Sequence, residues 1–551
     1  MKLFQKLLLA PAALGLLSPV AASAADLNIA GVNQYGADSA EQVTSITQFS
    51  DVKPTDWAYQ ALSNLIERYG CVAGYPNGTF KGGQAMTRYE AAALLNACLD
   101  RITEVTDELK RLMKEFEKEL AVLKGRVDGL EAKVGELEAT QFSTTTKLKG
   151  IATFVLGANS FGGNNTPVKD AARTLEGATS FNYDVRLNFD TSFTGKDLLR
   201  TTLRAGNFAD SAFGNGVGLN QLEVAFQENC GTADCGDVVA INRLFYQFPV
   251  GNGFTATVGA RVRQDDMLAM WPSVYPADTV LDIFTYAGAP GAYNLNLGAG
   301  AGIWYQKNGW SISANYVSAN GDGGCPNNIP GVCPGTTSGG IGTDASAETG
   351  TVQVGYAASN WGLAAVYNYS NGVGAASGTP FATALDAGTG VGVIGSTNSV
   401  GISGYWQPKT TGWVPSVSAG WGLNSSNFDD TVANFDGITT QSWYVGLQWN
   451  DAFIKGNALG MAVGQPTFIT GCGSDVCNNG NNDRTPHDAG YAWEWWYKFQ
   501  VTDNISVTPA IFYLSNPLGQ AGYFANIANG DDRGSAALTN FGGLIKTTFK
   551  F

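Results

Sequence analysis

Gly542-Gly543-Leu544-Ile545-Lys546-Thr547-Thr548-Phe549-Lys550-Phe551 is the stretch that decides the fold. Side chains alternate faces along a strand, so an extended chain here sets Ile545, Thr547, Phe549 and Phe551 on one side and both lysines on the other. One side suits lipid and the other water. Lipid offers no hydrogen-bond partner to a backbone, so a β protein crosses it only as a closed barrel without a free edge. A last segment of this kind fits a barrel closing on itself.

Upstream, the same alternation recurs in segments of about ten residues. Strands are expected near 147-157, 181-193, 198-207, 238-248, 254-263, 293-306, 310-319, 349-358, 361-371, 398-407, 413-423, 441-449, 457-465, 490-501, 505-515 and 540-551. Connectors after even strands are short, as at Gly195-Lys196-Asp197, Lys307-Asn308-Gly309 and Thr502-Asp503-Asn504, whereas most of those after odd strands are long. With a periplasmic N-terminus, all short turns then face the periplasm and all long loops face outside. Counting 219-228 as a strand would invert this phase, so that segment is placed inside a loop. The fold class expected is an all-β transmembrane barrel of 16 antiparallel strands over 146-551, preceded by a small α-helical domain and a coiled-coil helix. A soluble sandwich or propeller does not require the long and short rhythm.

Composition agrees. Seventy glycines, 28 Phe, 21 Tyr and 13 Trp suit strands that bend and rings that collect at membrane interfaces. Residues 1-24 read as a secretory signal peptide: Lys2 and Lys6, an apolar run from Leu7 to Val20, then Ala22-Ser23-Ala24 with cleavage near Ala25. That run is too short for a membrane anchor. Removing both lysines takes the net charge from -14 to -16, which argues against nucleic acid as a partner. The cysteines fall as Cys71/Cys98, Cys230/Cys235, Cys325/Cys333 and Cys472/Cys477. Even number, export and close spacing favour four disulfides. Zinc, the alternative, would need two distant pairs to meet, with His487 the sole histidine. Neither a metal nor a cofactor is expected.

Residues 47-100 read as a compact helical unit. Ala58, Ala61, Leu62, Leu65, Ile66 and Tyr69 have helical spacing, and Thr87-Arg88-Tyr89-Glu90 is a capping box opening a second helix. Phe49-Ser50-Asp51-Val52, Trp57-Ala58, Gly74-Tyr75-Pro76-Asn77-Gly78-Thr79-Phe80 and Thr87-Arg88-Tyr89-Glu90 together resemble an S-layer homology (SLH) domain. The resemblance implies binding of pyruvylated, peptidoglycan-linked polysaccharide, with Arg88 paired to the anionic substituent and Asp51, Trp57 and Gly74 in support. A guanidinium fork matches a carboxylate, and a helix start favours anions. Tyr89 departs from the alanine usual in the motif, and one copy stands where wall-binding proteins often carry three.

From 101 to 141 a coiled coil is expected. Ile102, Val105, Leu109, Leu112, Phe116, Leu120, Leu123, Val127, Leu130, Val134 and Leu137 step by three and four, with a stutter around Phe116. About 35 residues at 1.5 Å give a rod of roughly 50 Å. Val127 and Val134 at a with Leu130 and Leu137 at d favour a dimer.

The stretch Asn188-Phe189-Asp190-Thr191-Ser192-Phe193-Thr194-Gly195-Lys196-Asp197-Leu198-Leu199, with Leu244-Phe245-Tyr246-Gln247-Phe248, resembles the carbohydrate-selective OprB-type porins. SLH domain, coil and barrel in one chain resemble the major outer-membrane porins of cyanobacteria. This implies an outer-membrane location with the SLH domain and coil in the periplasm. It also implies a homotrimer, expected here over the dimer, and passive passage of small solutes: inorganic ions, iron among them, or sugars.

With apolar stripes such as Phe181, Tyr183, Val185, Leu187, Phe189 and Phe193 facing lipid, the opposite positions put Arg186, Arg200, Arg204, Arg243, Arg261 and Arg263 in the lumen. The following long connector, 264-292, carries Asp265, Asp266, Asp278 and Asp282. Folded inward, it is expected to set carboxylates across from the arginines and create a transverse field. Two other functions compete with a pore. An enzyme lacks its equipment: there is no Gly-x-Ser-x-Gly, no phosphate loop, and His487 lies outside any motif. A mainly structural tether between outer membrane and cell wall, with a closed or very narrow pore, needs only 47-140.

Overall fold

The computed structural model describes residues 45-56, 59-69, 72, 79-80, 91, 95, 114-117 and 145-551, the last range without 215-216, 229-235, 278-279, 328-336, 384-393, 429-436, 473-485 and 531-535. The chain divides into two compact units, one built on residues 142-551 and one within 19-141.

The larger unit is a closed barrel of sixteen antiparallel strands in sequence order. They are β1 (Thr146–Gly162), β2 (Ser180–Thr191), β3 (Leu198–Gly206), β4 (Ala240–Val250), β5 (Phe254–Arg263), β6 (Leu297–Lys307), β7 (Trp310–Ser318) and β8 (Glu348–Ala357), then β9 (Trp361–Asn371), β10 (Ile394–Trp406), β11 (Ser416–Phe428), β12 (Ile438–Asn450), β13 (Ala458–Cys472), β14 (Ala492–Thr502), β15 (Ile505–Leu514) and β16 (Thr539–Lys550). All sixteen expected strands form. Residues 219-228 lie in the β3–β4 connector and touch another loop through one isolated bridge, Leu222 to Leu281.

Closure is made by β1 and β16, paired from Ile151 with Lys550 to Gly162 with Thr539. Phe551 extends the seam: its N–H donates to Gly150 O at 3.0 Å and its carbonyl accepts from Gly150 N at 2.6 Å. The Phe551 ring lies over Gly150, in space that a Cβ would fill. On β16, Phe541 and Ile545 are exposed while Asn540, Leu544, Lys546 and Thr548 are buried inward. Phe154 continues the outer belt, 6.1 Å from Phe181 and 6.0 Å from Phe549.

Two-residue turns serve where the pleat allows. Asn308 (φ 53°) and Gly309 (φ 84°) are both left-handed, the form whose twist matches the flanking strands. Rings gather at the short-turn end, as in Trp310 with Tyr356 at 5.0 Å and Phe254 with Tyr305 at 4.7 Å, an interfacial girdle. The β2–β3 turn is knotted on Asp197, whose carboxylate accepts from Thr194 N (2.7 Å), Thr194 Oγ1 (2.7 Å), Ser192 Oγ (2.8 Å) and Tyr246 Oη (2.7 Å).

Among the described residues no helix is long and apolar enough to cross a membrane. Within the smaller unit, Ile46, Phe49, Leu62, Ile66 and Val72 form a core on which Phe80 packs. Helix α1 (Tyr59–Asn64) continues as a wider turn, Leu65–Tyr69. Asp51 Oδ1 accepts from Phe80 N at 2.7 Å, so it closes the unit's own connector. Trp57, Gly74, Arg88, the capping box and nearly all of the expected coiled coil lie outside the described residues; 114-117 are helical. Cys325 is disulfide-bonded and Cys472 ends β13. Cys71, Cys98, Cys230, Cys235, Cys333 and Cys477 lie outside the described residues.

Burial alone would raise the Asp197 pKa, but the hydrogen bonds from Thr194, Tyr246 and Ser192 hold it well below the usual carboxylate range. A depressed folded value means stability that is present above the unfolded pKa, about 4, and lost as pH falls through the folded one. Asp197→Asn should therefore lower the melting temperature of the barrel at pH 7 and reduce its further fall below about pH 4, measured by heat-modifiability on gels across pH. An acid limb identical to the parent would contradict this role.

Candidate functional site

Inward positions of β2 to β5 carry charge, and those of β7 to β12 carry hydroxyls and amides. On β2, Asp184, Arg186 and Asp190 share the inner face by the two-residue repeat. The antiparallel register sets Arg186 against Arg204 and Asp190 against Arg200 on β3. Asp184 is the hub of the upper cluster: Arg204 Nε donates to it at 2.7 Å and Arg186 Nε at 2.8 Å. Glu223, from the β3–β4 connector, accepts from Arg186 Nη2 at 3.2 Å. Lower down, Asp190 accepts from Arg200 Nε at 2.8 Å and from Lys149 Nζ at 3.0 Å. Asp184 and Asp190 are six residues apart, so the two clusters are separated by about 20 Å along the strand.

Two long connectors enter the lumen and bind its inner faces. The β5–β6 connector leaves the wall at Gln264 and binds the inner faces it passes. Ala269 N donates to Ser313 Oγ on β7 at 2.9 Å, Val274 N to Ser418 Oγ on β11 at 2.9 Å, and Gln353 Nε2 on β8 to Met270 O at 2.9 Å. Ser403 on β10 and Ser442 on β12 donate to the carbonyls of Ala287 (2.7 Å) and Gly288 (2.9 Å). At its farthest reach, Tyr275 Oη and Leu281 N donate to the two oxygens of Glu494 on β14, at 2.8 and 2.7 Å. In a ring of sixteen, β14 stands opposite β6, eight strands away. The connector thus crosses the whole lumen.

The β3–β4 connector joins it: Glu223 N donates to Val280 O at 3.1 Å and Asp282 N to Gln221 O at 3.0 Å. Behind that seam Phe213, Leu222, Leu281 and Phe284 pack with Val155, Trp496, Phe512 and Leu544 of β1, β14, β15 and β16. Inner residues beneath the loops, such as Ser311, Thr349, Asn368, Ser403 and Ser442, are buried. The arginine strands are less covered: the side chains of Arg186, Arg200, Arg261 and Arg263 are 26, 32, 41 and 32% exposed, whereas those of Arg204 and Arg243 are 11 and 9% exposed. Asp184 and Asp190, the partners of Arg186 and Arg200, are only 2 and 10% exposed; Glu228 and Asp265, the partners of Arg261 and Arg263, are each 22% exposed. The open wall therefore presents guanidinium N–H groups with carboxylates set behind them.

Two expectations are corrected. Asp265 and Asp266 do not face the arginines across a gap. They sit on the first turn after β5, where Asp265 accepts from Arg263 Nε at 2.5 Å and Asp266 from Arg243 Nε at 2.7 Å. Partly buried charge is held best when paired at contact distance, which outcompetes a transverse arrangement. Asp282 accepts from Tyr286 Oη and from Thr285 Oγ1 of its own loop. Asp278 lies outside the described residues. The functional residues that sequence reasoning missed are Asp184, Asp190, Glu223 and Glu494. Asp184-x-Arg186 and Arg263-x-Asp265, two residues apart on one face, were the available signal.

The chain matches the family model described as "Carbohydrate-selective porin, OprB family" over residues 104–551 and that of the S-layer homology domain over 48–92. A protein of Nostoc sp., described as uncharacterized, is 34% identical over 578 residues, covering 94% of this chain and 88% of the relative. One of Synechocystis sp., described likewise, is 32% identical over 574 residues, covering 94% of each. Among solved structures, the high pH structure of Pseudomonas putida OprB aligns with 76% of this chain and 96% of its own, at 13% identity and a TM-score of 0.47.

Removing Asp184 leaves two arginines without their shared partner. Asp184→Ala should destabilise the barrel by about 3–5 kcal/mol and shift the reversal potential in a salt gradient toward anions. Arg200→Ala, which strips the cation nearest Asp190, should shift it toward cations. Shifts of the same sign in both variants would contradict the pairing scheme.

Proposed function

The chain belongs to the carbohydrate-selective porin OprB family, and on that premise we propose that it is an outer-membrane porin whose conduit runs along the arginine wall of β2 to β5. The observation that carries this reading is the contrast in exposure between that wall and the loop-covered strands. Small hydrophilic solutes diffuse passively through the conduit: inorganic ions, iron among them, and sugars. Alternating guanidinium donors and carboxylate acceptors match hydroxyl pairs as well as small anions. Nothing in this use needs chemistry on the solute.

The SLH domain, on the cell-wall side, tethers the porin to pyruvylated, peptidoglycan-linked polysaccharide, with Arg88 as the principal contact and Asp51, Trp57 and Gly74 in support. Residues 101-141 act as the coiled-coil spacer. A homotrimer would present three SLH copies, and linked weak sites bind far more tightly than one. The second reading, a structural tether with a closed or very narrow pore, draws support from the apolar packing of two connectors inside the barrel.

Planar-bilayer recording of the purified full-length protein in salts and sugars separates the two readings. The porin gives discrete conductance steps that small sugars reduce; a plugged barrel gives no steps. For the tether, sedimentation with pyruvylated wall material should be lost in Arg88→Ala, and unaltered binding would place the ligand elsewhere.

A further inference from the structure

Beneath the crossing loops, the inner face at the short-turn end carries a second concentration of charge. Lys147 and Lys149 on β1, Arg200 on β3, Lys498 on β14 and Lys550 on β16 each lie within four residues of their strand's end on that side. Register and pleat fix their face. Lys147 pairs with Asp190 on β2, and Lys149 stands two residues along on the same side. Lys550 shares its face with the buried Lys546 and Thr548, and Lys498 with the buried Glu494 and Trp496. All five therefore stand on the inner face.

The loops set their level. On β14 the order toward the periplasm is Glu494, which holds the tip of the crossing loop, then Trp496 in the apolar packing, then Lys498. On β1 and β16, Val155 and Leu544 belong to that packing, with Lys149, Lys147 and Lys550 beneath it. Solvent reaches this end, where those three lysines are exposed.

The arc is unbalanced in sign. Asp190 is its one side-chain carboxylate, and it is already shared by Lys149 Nζ at 3.0 Å and Arg200 Nε at 2.8 Å. The last residue, Phe551, turns its oxygen to Gly150 N at 2.6 Å, Asp197 is enclosed in its own turn, and Asp503 stands in the β14–β15 turn. Among the described residues, neither Lys147 nor Lys550 has an ion pair or hydrogen bond from its ammonium group. Inner positions at the same end of the opposite wall are neutral, as at Ser311, Ser416 and Gln448.

Lys550 faces Ile151 across the seam, which places it on the diagonal to Lys149. Diagonal neighbours are about 7–8 Å apart, within reach of long side chains, and unscreened like charges at that spacing repel. An oxyanion with several acceptor oxygens relieves the repulsion by taking charge-assisted hydrogen bonds from more than one ammonium group.

We propose that this arc is a binding site for small multivalent oxyanions of the phosphate class, entered from the periplasmic side. Lys147, Lys149 and Lys550 are the direct contacts; Arg200 and Lys498 are flanking charges that draw the anion in. The site stands whether or not the lumen conducts. Its consequence rests on the open-porin reading: an anion held there sits at the base of the arginine wall and reduces the current.

The test is calorimetric titration of the detergent-solubilised full-length protein with pyrophosphate at constant ionic strength. Lys147→Gln/Lys550→Gln leaves Lys149, Asp190 and Arg200 in place; it should keep the parent's heat-modifiable gel mobility and bind at least tenfold more weakly. Lys307→Gln/Lys455→Gln removes the same charge at the same end but outside the arc, and should bind as the parent does. An equal loss in both pairs, or a parent that does not bind, would overturn the site. In planar bilayers, pyrophosphate should reduce the current from one compartment and leave it unchanged from the other. Equal block from both sides would overturn the periplasmic placement. A parent that binds pyrophosphate yet never conducts would overturn the porin reading and leave the site standing.

Discussion

Every other feature depends on the β1–β16 seam. A backbone group left without a partner in hydrocarbon costs several kcal/mol, so the sheet has no stable open form in a bilayer. Closure at sixteen strands, with Phe551 folded over Gly150 at the end of the seam, fixes a ring in which each strand has one strand opposite. That ring converts sequence distance into geometry. A connector leaving β5 and bonded to β14 must cross the lumen.

The ring also sets the charge arrangement. An interior narrowed by two connectors holds little water to solvate ions, so arginines there need carboxylates at contact distance. Strand periodicity supplies them at two residues along a strand or directly across the register, as Asp184 does for Arg186 and Arg204. The result is locally neutral yet asymmetric, because the guanidinium groups stand toward the opening. Hydroxyl-rich strands on the other side carry no charge to compensate and instead hold the crossing loop by its backbone.

Much of this was legible. Alternation gave all sixteen strands, and the rhythm of short and long connectors placed 219-228 in a loop. The pleat also sets Arg186, Arg200, Arg204 and Arg243 beside the inner carboxylates, whereas a bulge between Gly259 and Val262 breaks the alternation around Arg261 and Arg263. What the pattern could not convey is that the lumen is partly dry. Trp496, Phe512 and Leu544 are inward and apolar, which contradicts a water-filled interior unless a connector covers them. Phe208, Phe213 and Leu222 in the β3–β4 connector are the apolar residues that do so, and this complementarity is invisible to a strand-by-strand reading. The same assumption of a wide lumen put Asp265 and Asp266 across from the arginines rather than against them.

The central claim, that the path for solutes follows β2 to β5 and not the loop-covered wall, is tested most directly by cysteine accessibility under a current. A cysteine at Arg200 and one at Ser442, each in the otherwise native chain, would be exposed to a charged thiol reagent during bilayer recording. The account predicts a stepwise fall in current for the first and none for the second. Block through Ser442, or a current indifferent to modification at 200, would contradict it.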